Sequence, residues 1–599
     1  MIILGISDSI ESHACIIKDG ELIAAISEER LSRKKSDAGY PRNAINKVLA
    51  IAKISSNQID LVALAGYSNG LFQSIYKPIA TFSVENWIEQ NENYWKPKLI
   101  DNKKLSPLDD YLYWEKKRPE LKKNPYYEFV KLAKKNPTRT HAKIFNEIRR
   151  KVISKQLDIN IDKIKVFRHE LCHQMYGYFS QQQKKKNSLI LTLEGGGDDS
   201  SATISVVNSS GKIVEKYKTN EAMVGRLYRY VTLFLGMKPG QHEYKVMGLA
   251  PYGQVYHGAK SLEHFRKYNK IKGHKILKTN NFKDVYYSTR EKLHGQRFDG
   301  VAWGLQVYTE EFLERWTLNC IKKFKHKNII LSGGVAQNIK AVKILAEHKK
   351  ISSVWTGPIS GDGSLGIGAA WIASQKLDKK FKVKGLTSIY LGTKIADNEI
   401  VKTINRYCKN FEIRKNIPNK TIAKWIANGL IIARCKDRME FGQRALGNRS
   451  ILADPRDISS VEKINSKIKY RDFWMPFTPS ITFEGCKKIL INPNNIYSPY
   501  MTMAFDLKKG YAEKIPAVIH SADKSTRPQM LKKEVNPDYY NLIIEFEKIT
   551  GLPVLLNTSF NLHGDAIVEN SLQAIKTFLK SDLDVLVLNN YSIIRRLKK

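Results

Sequence analysis

Ser188-Leu189-Ile190-Leu191-Thr192-Leu193-Glu194-Gly195-Gly196-Gly197-Asp198-Asp199 reads as an apolar strand that runs straight into a glycine-rich turn. A short, mostly apolar run suits a buried strand, and glycine lets the backbone turn sharply and approach a ligand closely. Backbone N–H groups in such a turn can face phosphate oxygens. The same pattern recurs at two other places. Ile2 to Ile6 overlaps the turn Gly5 to Ser9, and Asn328 to Leu331 ends in Ser332-Gly333-Gly334, which continues to Asn338. None of the three carries the G-x-x-x-x-G-K-[ST] spacing, so a P-loop is excluded.

Three glycine turns at strand ends imply an α/β fold with a nucleotide cleft of the actin or sugar-kinase type. Around them, Ala14 to Ile17 and Leu22 to Ile26 read as strands joined by the turn Lys18-Asp19-Gly20. Between about 75 and 165 the texture changes to Lys, Asn, Trp and Tyr, with helical runs at Tyr127 to Ala133 and Ile144 to Ile153. A structureless loop of that length does not suit a compact domain, so this stretch is expected to be a helical insertion. Gly361-Asp362-Gly363-Ser364 opens a small-residue helix through Ala370, and a new unit begins after the basic segment Lys379 to Lys384. The expected division is 1–384 and 385–599.

The length of 599 residues exceeds a single core. The net charge of +41 invites a polyanion partner. The lysines are scattered in short clusters, however, which fits a basic solvated surface better than a nucleic-acid footprint. Cys15, Cys172, Cys320, Cys408, Cys435 and Cys486 stand far apart. They form no C-x-x-C pair, which leaves no disulfide framework or thiolate zinc site and suits a reducing cytosol. No apolar run reaches the ~18–20 residues of a membrane span. The expectation is a cytoplasmic protein that acts on small molecules, with no membrane span and its oligomeric state open.

His169 and His173 are four residues apart, on one helix face, where both imidazoles can reach one ion. Glu194 and Asp362 sit where strands give way to glycine turns. Two imidazoles with one or two carboxylates suit iron(II) or zinc with a position open for a substrate oxygen. In the second unit, Arg438 to Ser450 holds three arginines around two glycines, followed by Lys469 and Arg471. His520 to Arg527 and Asn557-Thr558-Ser559-Phe560-Asn561 add further polar groups. Arginine forks match phosphate oxygens two at a time, so this half reads as a clamp for a triphosphate and a second phosphorylated substrate.

Phe441 to Ala453 closely resembles the signature of the carbamoyltransferase family that modifies nodulation factors and antibiotics. Glu243 to Gly253, Glu28 to Lys35, Ser332 to Asn338, Ser498 to Met501 and Asn557 to Asn561 fit in the same order. The resemblance covers the chain apart from about 75–165. It implies a duplicated actin-like (ASKHA) domain, similar to the threonylcarbamoyl-transferring subunit of tRNA modification, followed by a YrdC-like α/β domain. The YrdC-like part would use carbamoyl phosphate and ATP with Mg2+ to form carbamoyl adenylate. The first domain would then pass the carbamoyl group to an acceptor hydroxyl.

On this resemblance the metal ligands are His169, His173, Glu194 and Asp362, with iron(II) the first candidate and zinc the second. Gly196, Gly333, Gly334 and Asn338 would bind carbamoyl adenylate. Lys469, Arg471, Ser559 and Asn561 match the catalytic tetrad of YrdC-like domains, and Arg444, Arg449, His520, Arg527, Asn557 and Thr558 would hold ATP and carbamoyl phosphate. Three departures stand out: Gln443 replaces a usual proline, Glu194 an expected aspartate, and Ile10 and Glu11 the family's His-Asp. The acceptor-side base is therefore open among His13, Asp8, Glu11 and Asp198. The acceptor is unread, with sugars and natural products as the expected class and Trp87, Trp95 and Trp114 as stacking candidates. The alternative reading is a tRNA threonylcarbamoyl-type transferase.

Overall fold

The structure is a computed structural model that describes residues 1–68, 70–135, 141–279, 284–378 and 381–595. Lys379, at the start of the basic segment, lies outside them. The chain divides into two compact units. The first comprises 1–32, 36–341 and 349–387; the second comprises 33–35, 342–348 and 388–599. The change of unit near 387 falls three residues beyond the expected one.

The first unit contains two five-stranded mixed sheets. The first is built from β1 (Ile2–Ser7), β2 (His13–Lys18), β3 (Glu21–Ser27), β4 (Leu61–Ala65) and β5 (Ile164–Phe167). The second is built from β6 (Ser188–Leu193), β7 (Ala202–Val207), β8 (Ile213–Thr219), β9 (Asn328–Ser332) and β10 (Ser353–Thr356). Their orders are β3-β2-β1-β4-β5 and β8-β7-β6-β9-β10, so the second repeats the first strand for strand. In both, the first strand pairs antiparallel with the second and parallel with the fourth. β6 is buried along its whole length, as its continuous apolar character requires of a strand covered on both faces.

The helix after each fifth strand is buried against the other. α1 (His169–Phe179) follows β5, and α3 (Leu365–Leu377) follows β10; α2 (Val224–Phe234) lies between them in sequence. α3 seats on β1 and α1 through glycines. A Cβ on Gly5 would lie 2.2 Å from the Gly366 carbonyl oxygen, and one on Gly368 would lie 2.1 Å from that of Cys172. Backbones this close exclude any side chain, which explains the small residues opening α3.

Between β4 and β5 the chain runs through helices from Gln73 to Leu157 around their own aromatic core. Tyr127 to Ala133 and Ile144 to Ile153 are helical as read from the sequence. The expected insertion was too long at its end, because Ile164–Phe167 is β5, the edge strand of the first sheet. Trp87 and Trp114 are buried in that core, 6% and 1% exposed, so neither ring can stack on a sugar. The second unit is a mixed eight-stranded sheet with helices, its central strands Ile432–Cys435, Arg449–Ala453 and Val554–Ser559 adjacent.

Candidate active site

β5 and β6 deliver their chain ends to one place. α1 starts at His169, whose backbone N–H donates to Asp198 Oδ2 at 2.7 Å. One helical turn on, His173 shares the face. Glu194 follows directly on β6, and Asp362 opens the short turn before α3. Donor atoms of these four side chains all lie within 4.8 Å of one another. His169 Nε2 is 2.9 Å and His173 Nε2 is 3.3 Å from Glu194 Oε2. Both imidazoles lie 3.6–3.7 Å from Asp362 Oδ1.

Burial works against charge here, yet the carboxylates and imidazoles overcome it. Glu194 and Asp362 hold His169 well above the ordinary histidine range, and His173 rises in the same direction. The two imidazoles in turn hold the Glu194 carboxyl well below its usual range despite burial. His173 Nε2 and Glu194 Oε1 are buried without a hydrogen-bond partner. Orphaned buried donors of this type, converging from three stretches of chain, fit a divalent cation. Ser332 Oγ lies 3.4 Å from His173 Nδ1, and Ser9 Oγ donates to Asp362 Oδ2 at 3.3 Å, so outer partners orient two of the ligands.

The four base candidates differ sharply. Asp8 is 1% exposed; it accepts from Arg149 Nε at 2.8 Å and from the Tyr126 hydroxyl at 2.6 Å. Asp198 accepts the N–H groups of Tyr67, Ser68 and His169 and the Ser68 hydroxyl. His13 is fully buried, with Nδ1 2.9 Å from the Glu11 carbonyl oxygen and Nε2 accepting from Gly366 N–H at 3.1 Å. Glu11 and Asp198 are half-exposed, and the Glu11 carboxylate is turned to the Asp362 turn; a Cβ on Gly363 would lie 2.8 Å from its Oε2.

The glycine turns take the backbone angles expected of them at Gly333, whose φ is +91°. Gly334 faces open space, and Gly196 is also in an extended positive-φ conformation. Asn338 is turned inward, exchanging hydrogen bonds with Gln306 and donating to the Tyr228 hydroxyl.

In the second unit, Lys469 Nζ donates to Ser559 Oγ at 3.2 Å and to Asn561 Oδ1 at 2.9 Å. The Ser559 hydroxyl donates to the same Asn561 oxygen at 2.7 Å, and Arg471 donates to Thr558 Oγ1 at 2.8 Å. Burial, then the charges of Arg471 and Lys35, hold the Lys469 ammonium well below its ordinary range. Lys35 reaches this place because 33–35 folds with the second unit, where Arg33 donates to the Ala566 and Ile567 carbonyls. Arg444 and Arg527 are half-buried, and His520 is buried with Nδ1 accepting from Ala522 N–H.

Two of the expected phosphate ligands point elsewhere. Arg449 is fully buried and spends its guanidinium on the carbonyls of Thr393, Lys436, Asp437, Asn448 and Glu569. Asn557 donates to the Ala445 carbonyl and Ser480 Oγ inside the sheet. Two organising residues escaped the sequence reading. Glu440 accepts the N–H groups of Leu446, Asn448 and Arg449, and Glu170 accepts those of Asp199 and Ser200. Glu170 had a visible signal, its place inside His169-Glu170-Leu171-Cys172-His173.

A model of the carbamoyltransferase N-terminus matches residues 2–371, and one of the carbamoyltransferase C-terminus matches residues 423–595. The chain belongs to the carbamoyltransferase family. Within it, the chain is 30% identical over 609 residues to an uncharacterised protein of Methanocaldococcus jannaschii, covering 99% of each. It is 28% identical to nodulation protein NolNO of Sinorhizobium fredii, covering 98% of this chain and 79% of that one. Nodulation protein NolO of Bradyrhizobium diazoefficiens is 30% identical over 361 residues, which are 59% of this chain and 66% of that one. Both sites fall inside the matched segments of the carbamoyltransferase, and none of its described helices is long and apolar enough to cross a membrane.

Proposed function

We propose that the protein is an ATP-dependent O-carbamoyltransferase working through carbamoyl adenylate. The observation that carries this reading is the convergence of His169, His173, Glu194 and Asp362 in one family-matched unit while Lys469, Ser559 and Asn561 converge in the other. The doubled sheet supports an actin-like first domain, and a YrdC-like second domain is the matching proposal.

In the second unit, water hydrolyses carbamoyl phosphate, breaking its bond to phosphate and giving carbamate and inorganic phosphate. A carbamate oxygen then attacks the α-phosphorus of ATP with Mg2+, releasing pyrophosphate and leaving a mixed anhydride whose leaving group is AMP. Lys469 and Arg471, with Arg444 and Arg527, offset the charge that builds on the departing groups. Ser559 and Asn561 hold the Lys469 amine in position; burial and the charges of Arg471 and Lys35 lower its hold on a proton, and the charge of a phosphate beside it would act in the opposite direction.

In the first unit, the acceptor hydroxyl attacks the carbamoyl carbon, the bond to the AMP oxygen breaks and AMP departs. Glu11, whose half-exposed carboxylate faces the Asp362 turn beside the metal ligands, is the base that takes the hydroxyl proton. A divalent metal held by His169, His173, Glu194 and Asp362, iron(II) by preference, would polarise the carbamoyl carbonyl.

The test is to incubate the protein with ATP, carbamoyl phosphate and an extract of its host, following pyrophosphate and mass-detected carbamoylated products. His169→Ala should keep pyrophosphate release and lose the carbamoylated product, whereas Lys469→Ala should lose both. Unchanged pyrophosphate release in Lys469→Ala rejects the adenylating role of the second unit. Glu11→Gln should slow transfer ~10²-fold or more with pyrophosphate release intact.

A further inference from the structure

The strap Arg33–Lys35 leaves the first unit and folds with the second. On either side of it the chain is pinned to the turn that carries Glu11. The Glu28 N–H donates to the Ser12 carbonyl at 2.9 Å, and the Ser12 N–H and hydroxyl donate to the Asp37 carbonyl at 3.0 and 3.1 Å. Between these fixed points Arg33 holds a left-handed backbone, with φ at +65°. That conformation is uncommon for a residue other than glycine and persists where surrounding contacts over-determine it. The Arg33 guanidinium, half-buried, supplies such contacts. Nη1 donates to the Ile567 carbonyl at 2.7 Å and to Gln573 Oε1 at 3.0 Å, and Nη2 donates to the Ala566 carbonyl at 2.5 Å.

Ala566 and Ile567 lie on the returning limb of the loop that Asn561 opens. The Val568 N–H donates to the Phe560 carbonyl at 3.0 Å and closes the base of this loop, while its tip, 563–565, is exposed. Inside it, Asn561 Nδ2 donates to the Leu562 carbonyl at 2.7 Å and to the Asp565 carbonyl at 3.0 Å. Those two bonds decide which way the amide faces. They turn Oδ1 toward Lys469 Nζ and the Ser559 hydroxyl, which both donate to it. His563 Nδ1 donates in turn to the Lys469 carbonyl. The Arg33 fork grips the limb one residue beyond Asp565, so it fixes the carbonyl that orients Asn561. A planar fork on two neighbouring carbonyls sets the direction of the limb as well as its place. Committed in this way, the guanidinium acts on the reaction through the loop and not by gripping a phosphate.

We propose that Arg33 is a positioning residue of the adenylating centre: by clamping the Ala566 and Ile567 carbonyls it keeps Asn561 in the orientation that seats Lys469 and Ser559. This deepens the adenylation reading and rests on it. A residue near the start of the chain thus completes a centre whose Lys469, Ser559 and Asn561 lie far along it. The strap that carries the clamp has both of its ends held by the turn around Ser12, so the clamp is set by backbone of the first unit.

Arg33→Gly is the variant to test, because glycine suits the left-handed backbone at this position and only the fork is lost. Hydrogen exchange of the full-length protein without substrates, read by mass spectrometry, should run about tenfold faster or more in the peptide spanning 560–570. The strand Arg449–Ala453 should exchange at the wild-type rate. Pyrophosphate release with ATP and carbamoyl phosphate should lose about tenfold or more in kcat, with KM for each substrate within about threefold of wild type. Arg33→Lys, which keeps donors for the carbonyls without the fork, should stand between the two. Wild-type exchange in 560–570, or a wild-type kcat, in Arg33→Gly overturns the proposal. A loss confined to KM also overturns it, since Arg33 would then be a substrate ligand. Lys35→Gln keeps the fork and should leave 560–570 at the wild-type exchange rate; faster exchange there too assigns the effect to the charge of the strap and overturns the role of the fork. If the wild-type protein releases no pyrophosphate, the adenylation reading fails, and exchange in 560–570 by itself decides whether Arg33 clamps the loop.

Discussion

At the scale of single residues, burial decides which titratable groups are free to do chemistry. His13 is the clearest case. Burial outweighs the Glu11 carbonyl and the Asp362 charge and pulls the imidazole down from 6.5 to about 4. The neutral ring then links β2 to α3 by accepting from Gly366 N–H. Because the unfolded chain binds its proton near 6.5 and the folded one only near 4, this contribution to stability is complete above the unfolded value. It is lost progressively as pH falls toward the folded one, on the order of 3 kcal/mol in all. Replacing His13 by Asn should lower stability at pH 7.5 and flatten the pH dependence between 6.5 and 4 in denaturant titrations. An unchanged slope across that window would show that His13 is not held neutral. Glu440 makes the complementary point with an anion: three N–H groups depend on one carboxylate oxygen. Glu440→Ala should cost about 1–3 kcal/mol per orphaned buried group and disorder the loop that presents Arg444, visible as lost pyrophosphate release with transfer-unit metal content intact.

At the scale of elements, glycine sets how near a helix can come to the catalytic turns. Gly225 on α2 is pressed against the Glu194 and Gly195 backbone, so even a methyl group must push the helix or the turn away. Gly225→Ala should therefore release bound metal, because Glu194 moves with the turn, while ATP consumption in the second unit persists. Metal content by elemental analysis against pyrophosphate release separates the two. The glycine turns themselves were legible in the sequence, since an apolar run followed by glycines has few other uses. So were the two histidines, because helical spacing is local. Strand order was not legible: that β8-β7-β6-β9-β10 repeats β3-β2-β1-β4-β5 depends on pairings between segments as distant as Ser188 and Asn328, which no local pattern encodes. β5 was lost inside the helical stretch because four residues on an edge, with a single lysine among three apolar side chains, carry little alternation. Arg449 misled for a chemical reason. A guanidinium fork meets backbone carbonyls as readily as phosphate oxygens, and only the fold shows that five carbonyls surround it. Likewise, nothing near 33–35 in sequence indicated that Arg33 and Lys35 fold with the second unit.

At the scale of the whole molecule, each unit has its own buried core and its own charged site, so a ligand of one should stabilise that one. The four-ligand cluster makes this testable without any turnover. Bringing two carboxylates and two imidazoles together is tolerable in the absence of an ion because protons on His169 and His173 supply the positive charge. A divalent cation displaces those protons and binds the folded unit far better than the unfolded chain. Scanning calorimetry of metal-stripped protein should show two transitions. Adding iron(II) under anaerobic conditions, or zinc, should raise one of them, by the equivalent of ~2.7 kcal/mol at a free concentration 100 times the dissociation constant. ATP with Mg2+ should raise the other. In His173→Ala the metal-dependent rise should vanish while the ATP-dependent one remains. A metal-induced shift that survives loss of His173, or that moves both transitions together in a Lys469→Ala background, would mean that the ion binds elsewhere than between α1, β6 and the turn opening α3.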